Sequence, residues 1–367
     1  MDTPLLFPGR SVASLTDVSL GHWAAASGST GSTVILPAPG TTAGVDVRGG
    51  GPAVHESAIL APGTLSYGAD AILLTGGSAF GLAAARGVQD VLAESGVGSP
   101  VPGGITVPIV PAAAIFDLGR AATPTEPPGL AAGAAAARAA LTARRTAAGD
   151  TTVLGEAGSV GAGLGAWCDR GLYRGGLGHA LITLGEVQVA ALVVANPSGG
   201  LLDARGELNA AGVLADFGIA LPRLTGTERA ALAAERERRQ RSAPADSPRN
   251  TTIACIVTNA RLDTAEATRL AATAHAGLAR AVRPSHTLFD GDTVFALACG
   301  TQELPEDSPR DLALTALGAA GADALSTAIV DAVLGVPAAG AVTDPTAPRP
   351  LASFAPDLAA AWAGLRN

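Results

Sequence analysis

The chain has 367 residues, 48% of them hydrophobic and 15% charged, with a mean hydropathy of +0.33, so it holds enough apolar material for a large core and is not a disordered polymer. A net charge of -8 leaves no clustered basic face for nucleic acid. All 24 basic residues are Arg, which excludes a lysine Schiff base, a P-loop lysine and a lysine general base.

Residues 1 to 120 alternate short apolar runs with Gly and Pro: GSTVILP, TAGVDVRGG, DAILLTGG and ITVPIVPAAAIFDLG. Runs of this length between such punctuation predict strands. AFGLAAARGVQDVLAESG, with Leu82, Val88 and Leu92 on one face, predicts a helix, and Ala-rich GLAAGAAAARAALTARR predicts another. A Gly-rich segment, GEAGSVGAGLGAW, leads to a strong strand, EVQVAALVVANPSG, that must turn at Asn-Pro. Residues 226 to 249 then switch to mixed charge with Arg, Ser and Pro, the pattern of a solvated helix fading into a linker. The remainder reads strand (TTIACIVTNA), helix, strand (TVFALAC), helix. The first of these helices starts at Asp263 with Glu266 three residues on and carries Leu270, Ala274, Leu278 and Ala281 on one face. Ser308-Pro309-Arg310-Asp311 opens the second, with Pro309 expected at its first position and an end near Gly335.

Several motifs point to less than they first suggest. GAGLGA (161 to 166) fits a dinucleotide fingerprint, but the stretch after it, WCDRGLYRGGLGHA, is too Gly-rich to be the helix such a loop must open. GGSAFG lacks the spacing of a nucleophile elbow and reads as a tight turn. Cys168, Cys255 and Cys299, odd in number and widely spaced, read as free thiols in a reducing compartment. The five His are scattered, and neither metal nor cofactor is expected. MDTPLLFPGR has no basic n-region or long apolar h-region, and no uninterrupted apolar run is long enough for a bilayer, so the expectation is a soluble, cytoplasmic protein without membrane or nucleic-acid partners.

Candidate chemistry gathers at the end of the charged segment, where flexible chain meets a strand at Asn250-Thr251. A hydroxyl there is ordinary turn chemistry unless the preceding bond is broken. In that case Thr251 gains an α-amino group, whose reference pKa of ~7.7 to 8.0 suits a general base at neutral pH, and threonine with its own amine is a recognised nucleophile. Asp290 and Asp292 of SHTLFDGDTVF can hold that amine, although Asp-Gly-Asp is also a plain acidic turn and, with His286, a candidate hard-cation ligand set. Asn196, at its strand end, can donate to an oxyanion.

LTDVSLGHW, AGVDVRGGGP, ILLTGGSAFGL, VPIVPAAAIFDLG, GSVGAGLGA, VVANPSG, NTTIACIVTNARL and HTLFDGDTVFA together resemble, in order, the blocks of the self-cleaving amidohydrolases that include the L-aminopeptidase/D-esterases, the β-peptidyl aminopeptidases and the nylon-oligomer hydrolases. The resemblance implies an α/β layered fold, an αββα sandwich of the N-terminal-nucleophile type. It implies one domain cut into a large chain, residues 1–250, and a small chain, 251–367, assembled as a tetramer of such pairs. It places the cut between Asn250 and Thr251 and makes Thr251 the nucleophile. Asn196 becomes the oxyanion donor, Asp290 and Asp292 supports, and a small-molecule or peptide-like amide the substrate. The Asn-Thr-Thr junction and paired aspartates look closest to the nylon-oligomer hydrolases. Two departures stand out: the lysine those enzymes carry after the GAG block is absent, leaving Arg170 or Arg174 as the nearest cation, and Phe116 stands where some members have Tyr. Thr252 is the fallback nucleophile. An acyltransferase, an aminopeptidase requiring a free substrate amine and an unprocessed binding protein are the rival readings.

Overall fold

A computed structural model describes residues 3–15, 18–65, 68–120, 126–146, 154–242, 250–305, 308–338 and 347–366. Eleven strands form its two main sheets: β1 (Leu5–Pro8), β2 (Ser19–Ala24), β3 (Gly31–Leu36), β4 (Thr42–Val47), β5 (Val54–His55), β6 (Ile72–Thr75), β7 (Ala112–Ala114), β8 (Gly176–Leu184), β9 (Val187–Asn196), β10 (Thr251–Ala260) and β11 (Thr293–Gln302). One sheet runs β1-β8-β9-β10-β11-β4 and the other β2-β3-β6-β7-β5. Pairing is antiparallel except for β10 with β11 and β6 with β7. The longer helices are α1 (Ala84–Glu94), α2 (Leu130–Thr146), α3 (Gly226–Ser242), α4 (Thr264–Ala281), α5 (Arg310–Leu334) and α6 (Pro356–Arg366).

The pleat sorts side chains into three apolar layers. Leu192 and Val194 of β9, with Ile253, Cys255 and Val257 of β10, meet Ile35, Ile72 and Leu74 between the sheets. The alternate residues Ala191, Val193, Ala254 and Ile256 pack under α4 and α5, while Val34, Leu36 and Leu73 pack under α1 and α2. Buried on both faces, β9 and β10 read as continuous apolar runs, and the result is the expected αββα sandwich. The glycines of GGSAFG do serve a tight turn: Gly77 (φ 81) donates its N–H to Asp117 Oδ1 at 2.7 Å, and a Cβ on Gly81 would collide with the Gly76 carbonyl. GAGLGA opens only a short turn, Gly161–Gly163, before a strand at Trp167–Cys168. All three cysteines are free.

Several local features differ from the sequence expectations. Strands β1 and β8 carry no signal strong enough to predict them, and β8 is masked by its glycines. A Cβ on Gly176 or Gly178 would strike the backbone of α5 at Ala328 and Ala332, so these residues are bare because the helix lies directly on the strand. Pro309 caps α5 rather than starting it. Helix α5 is apolar enough over its 25 residues to cross a membrane, yet most of it is buried against the sheet. The Asp263–Glu266 capping box forms as predicted, and the charged segment is helical through Ser242, its remaining residues 243–249 lying outside those described.

Candidate active site

Pro197 ends β9, since it offers no N–H and restricts the residue before it. That leaves Asn196 as the last paired residue, and the register sets it directly opposite Thr251, the first of β10. Residues so opposed point to the same face with Cβ atoms about 4.5–5.5 Å apart. Thr251 is in phase with Ile253 and Cys255, which face the space between the sheets, whereas Thr252 is in phase with Ala254 and Ile256, which face the helices. The two neighbouring hydroxyls therefore project to opposite sides.

The Asn250–Thr251 junction is held from several directions. Asn250 donates its backbone N–H to Phe289 O at 3.2 Å and pairs as a bridge with Asp290. Its side-chain amide donates to Asn196 O at 2.9 Å and Trp167 O at 3.2 Å. Beyond the junction, the Thr252 N–H donates to Asp292 Oδ1 at 2.8 Å. Between these clamps the Thr251 hydroxyl donates to the carbonyl oxygen of Asn250. Asn196, Asn250, Thr251, Asp290 and Asp292 are all buried.

Asp292 is shared among several donors, with Oδ2 accepting from the backbone N–H of His286 at 3.0 Å and contacting His286 Nδ1 at 2.8 Å. Asp290 Oδ1 accepts from Ser198 N at 3.0 Å, and Oδ2 accepts from the backbone and hydroxyl of Thr287. Burial and then the neighbouring Asp292 charge push the Asp290 carboxyl above its ordinary value, against the pull of the Thr287 and Ser198 donors. The turn itself falls at Leu288 and Phe289, and the Asp-Gly-Asp segment after it is buried beside the hydroxyl: a Cβ on Gly291 would lie 3.0 Å from Thr251 Oγ1. The glycine triplet 49–51 packs flat on this loop, where Gly49 N donates to Asp292 O at 3.2 Å and Gly51 N to Asp290 O at 2.9 Å. Side chains on Gly49 or Gly50 would collide with the loop backbone.

Asn196 is gripped at its oxygen. Oδ1 accepts from Trp167 N at 2.9 Å and from the Arg120 guanidinium, while Nδ2 donates to Phe116 O at 3.3 Å. Two donors at Oδ1 fix which end of the amide is nitrogen. Arg120 also donates to Gly165 O at 2.9 Å and lies 4.9 Å from the Trp167 ring centroid. Burial, outweighing Asp117, draws its pKa down to about 10, so it remains a cation at neutral pH. Nothing in the sequence marks Arg120, which is 76 positions from Asn196. Of the two cations nearest the position where the resemblance expects a lysine, Arg170 is exposed, and Arg174 is buried and donates to Leu164 O at 2.6 Å and Ser159 Oγ at 3.2 Å, bracing the Gly-rich loop. Phe116 contributes its carbonyl rather than a ring donor. His286 meets the Asp292 carboxylate and lies edge-on to His275, ring centroids 4.9 Å apart.

Known proteins resemble this chain along most of its length. Residues 11–344 match peptidase family S58. An uncharacterized aminopeptidase of Mycobacterium tuberculosis is 41% identical over 344 residues, covering 89% of this chain and 91% of its own. A 6-aminohexanoate-oligomer endohydrolase of Paenarthrobacter ureafaciens is 33% identical over 331 residues, covering 86% and 83%. Among solved structures, the L-aminopeptidase D-Ala-esterase/amidase of Ochrobactrum anthropi, described as a variant of the Ntn-hydrolase fold, superposes with a TM-score of 0.62 at 18% identity, covering 98% of this chain and 97% of that one.

Proposed function

Because the chain belongs to peptidase family S58, and so hydrolyses peptide or amide bonds, we propose that it matures by breaking its own Asn250–Thr251 bond and then works through Thr251 as an amino-terminal nucleophile. The observation that carries this reading is the Thr251 hydroxyl resting on the Asn250 carbonyl while the pleat turns Thr252 away. In maturation Thr251 Oγ attacks the Asn250 carbonyl carbon. The C–N bond breaks as the C–O bond forms, the freed nitrogen takes the proton as the α-amine, and water hydrolyses the ester. The products are residues 1–250 and 251–367.

In the mature enzyme the α-amine accepts the hydroxyl proton as Oγ attacks a substrate amide and delivers it to the leaving nitrogen. Asp292, already bonded to the N–H of the next residue, holds the new terminus from one side, with Asp290 beside it. Asn196 Nδ2 has given one hydrogen to Phe116 O, and its second serves the oxyanion, strengthened by Arg120 at the other end of the amide. Arg120 therefore takes the electrostatic duty of the missing lysine but no proton-transfer duty, since an Arg stays charged.

A second reading, an aminopeptidase that needs a free substrate amine, is favoured by the 41%-identical relatives named aminopeptidases. Blocking the substrate amine with an acetyl group separates it from an endo-acting amidase. For the central reading, Thr251→Ala gives one uncut, inactive chain; a variant still found as two pieces makes ordinary proteolysis the better account.

A further inference from the structure

We propose that the seat filled by the Asn250 side chain is the acyl-recognition subsite of the mature enzyme, selecting acyl groups that carry an N–H donor at the reach of an asparagine amide. This rests on Thr251 as the nucleophile. The ester formed in maturation, Asn250 acyl on Thr251 Oγ, is the same chemical species as an acyl-enzyme on a substrate. The carbonyl carbon of any substrate must therefore occupy the place of the Asn250 carbonyl, and the group attached to it inherits the place of Asn250.

That place is lined by acceptors. Asn250 Nδ2 donates to two main-chain carbonyls, Asn196 O at 2.9 Å and Trp167 O at 3.2 Å. Its backbone N–H meets a third, Phe289 O, at 3.2 Å. The other end of the amide, Oδ1, is buried and has no hydrogen-bond partner among the described residues. The seat thus offers acceptors to a donor and nothing to an acceptor. Both amide-binding carbonyls are rigid, one at the end of β9 and the other on Trp167, which is itself tied to Asn196 Oδ1 at 2.9 Å. A leucyl side chain has the asparagine branching without the donor and loses both bonds; an aspartyl side chain turns a carboxylate toward carbonyl oxygens. A γ-aminobutanoyl group places its ammonium the same number of bonds from the acyl carbon as Nδ2 stands in asparagine. In every case Oγ bonds to the acyl carbon as the C–N bond breaks, the hydroxyl proton leaves with the amine, and water then releases the acid.

The test compares p-nitroanilides of L-asparagine, L-leucine and L-aspartate, and the γ-aminobutanoyl and pentanoyl pair, on the processed enzyme. A lost donor at a buried acceptor pair reduces kcat/KM on the order of tenfold or more. The expected order is asparaginyl over leucyl over aspartyl, and γ-aminobutanoyl over pentanoyl. Maturation should follow it, Asn250→Leu cutting more slowly than the wild type and Asn250→Asp more slowly still; if these variants fail to fold, the substrate series on the wild type decides. Equal rates, a leucyl preference, or no turnover of any donor-bearing substrate by a correctly cut enzyme overturns the proposal and leaves the Thr251 reading standing. An uncut wild-type chain overturns both.

Discussion

Replacing Arg120 with Met tests the electrostatics of the site most sharply. The guanidinium touches Asn196 Oδ1, and the oxyanion is placed at Nδ2, so two hydrogen-bond lengths and the width of an amide put cation and oxyanion about 7 Å apart. At an effective dielectric of ~20 their attraction is ~2.4 kcal/mol. The negative charge exists only in the transition state, so this energy is lost from kcat rather than KM, a fall of roughly 50-fold. Stability should fall as well, because the exchange leaves the buried Asp117 carboxyl without its cationic neighbour and the Gly165 carbonyl without this donor, so turnover is compared on folded protein. Arg120→Lys should recover part of the rate, since Nη1 alone donates to both Gly165 O and Asn196 Oδ1, and an ammonium keeps that charge on a shorter side chain. The assay is kcat and KM on an amide together with the rate at which the small fragment appears and the thermal midpoint. Because Arg120 acts through Asn196, the double variant should be no slower than Asn196→Ala alone, which itself costs about 3 kcal/mol. An unchanged kcat, or losses that add in the double variant, would refute the reasoning.

Three further variants probe the same geometry. His286→Leu removes a bond to the Asp292 carboxylate and should slow turnover roughly 10- to 100-fold, whereas His286→Asn, which keeps a donor near the Nδ1 position, should retain most of the rate; equal loss in both would make the ring merely structural. Gly178→Val would drive β8 from α5 and should cost about 3 kcal/mol or more, read as a lower urea midpoint or loss of soluble protein. Burial draws the fully buried His179 down to about 3 from 6.5. Below pH 6.5 the unfolded chain then binds a proton that the folded chain refuses, and stability is lost as pH falls toward that lower value. His179→Leu should escape this loss, so the wild type should weaken relative to it by up to ~1.4 kcal/mol per pH unit below 6.5; parallel urea midpoints at pH 7, 6 and 5 would contradict the assignment.

Much of the architecture is legible because burial on both faces forces apolar runs: β9, β10 and β11 and the helix between the last two stand out in the residues alone. The reading fails where glycine is the structural element. Gly176 and Gly178 look like loop residues, since composition records a missing side chain and not the helix backbone that fills its place. The same limit hides the reason for Gly49 to Gly51, which lie flat under the Asp290–Asp292 segment. At the candidate site, Thr251, Asn196 and the two aspartates stand out in the residues because each sits at or just before a strand end, and the fold brings them together. Arg120 has no such marker: it comes four residues after Phe116 in FDLGR, and its contact with the site appears only when the chain folds it onto an amide 76 residues away.

Thr251 as a new chain terminus is the claim on which the mechanism stands, and amino-terminal sequencing of the purified small fragment, with its intact mass, tests it most directly. The account predicts a fragment that begins Thr-Thr-Ile-Ala-Cys and contains residues 251–367. A fragment beginning at Thr252 or within the preceding charged segment, or a single uncut mass in fully active protein, would contradict it.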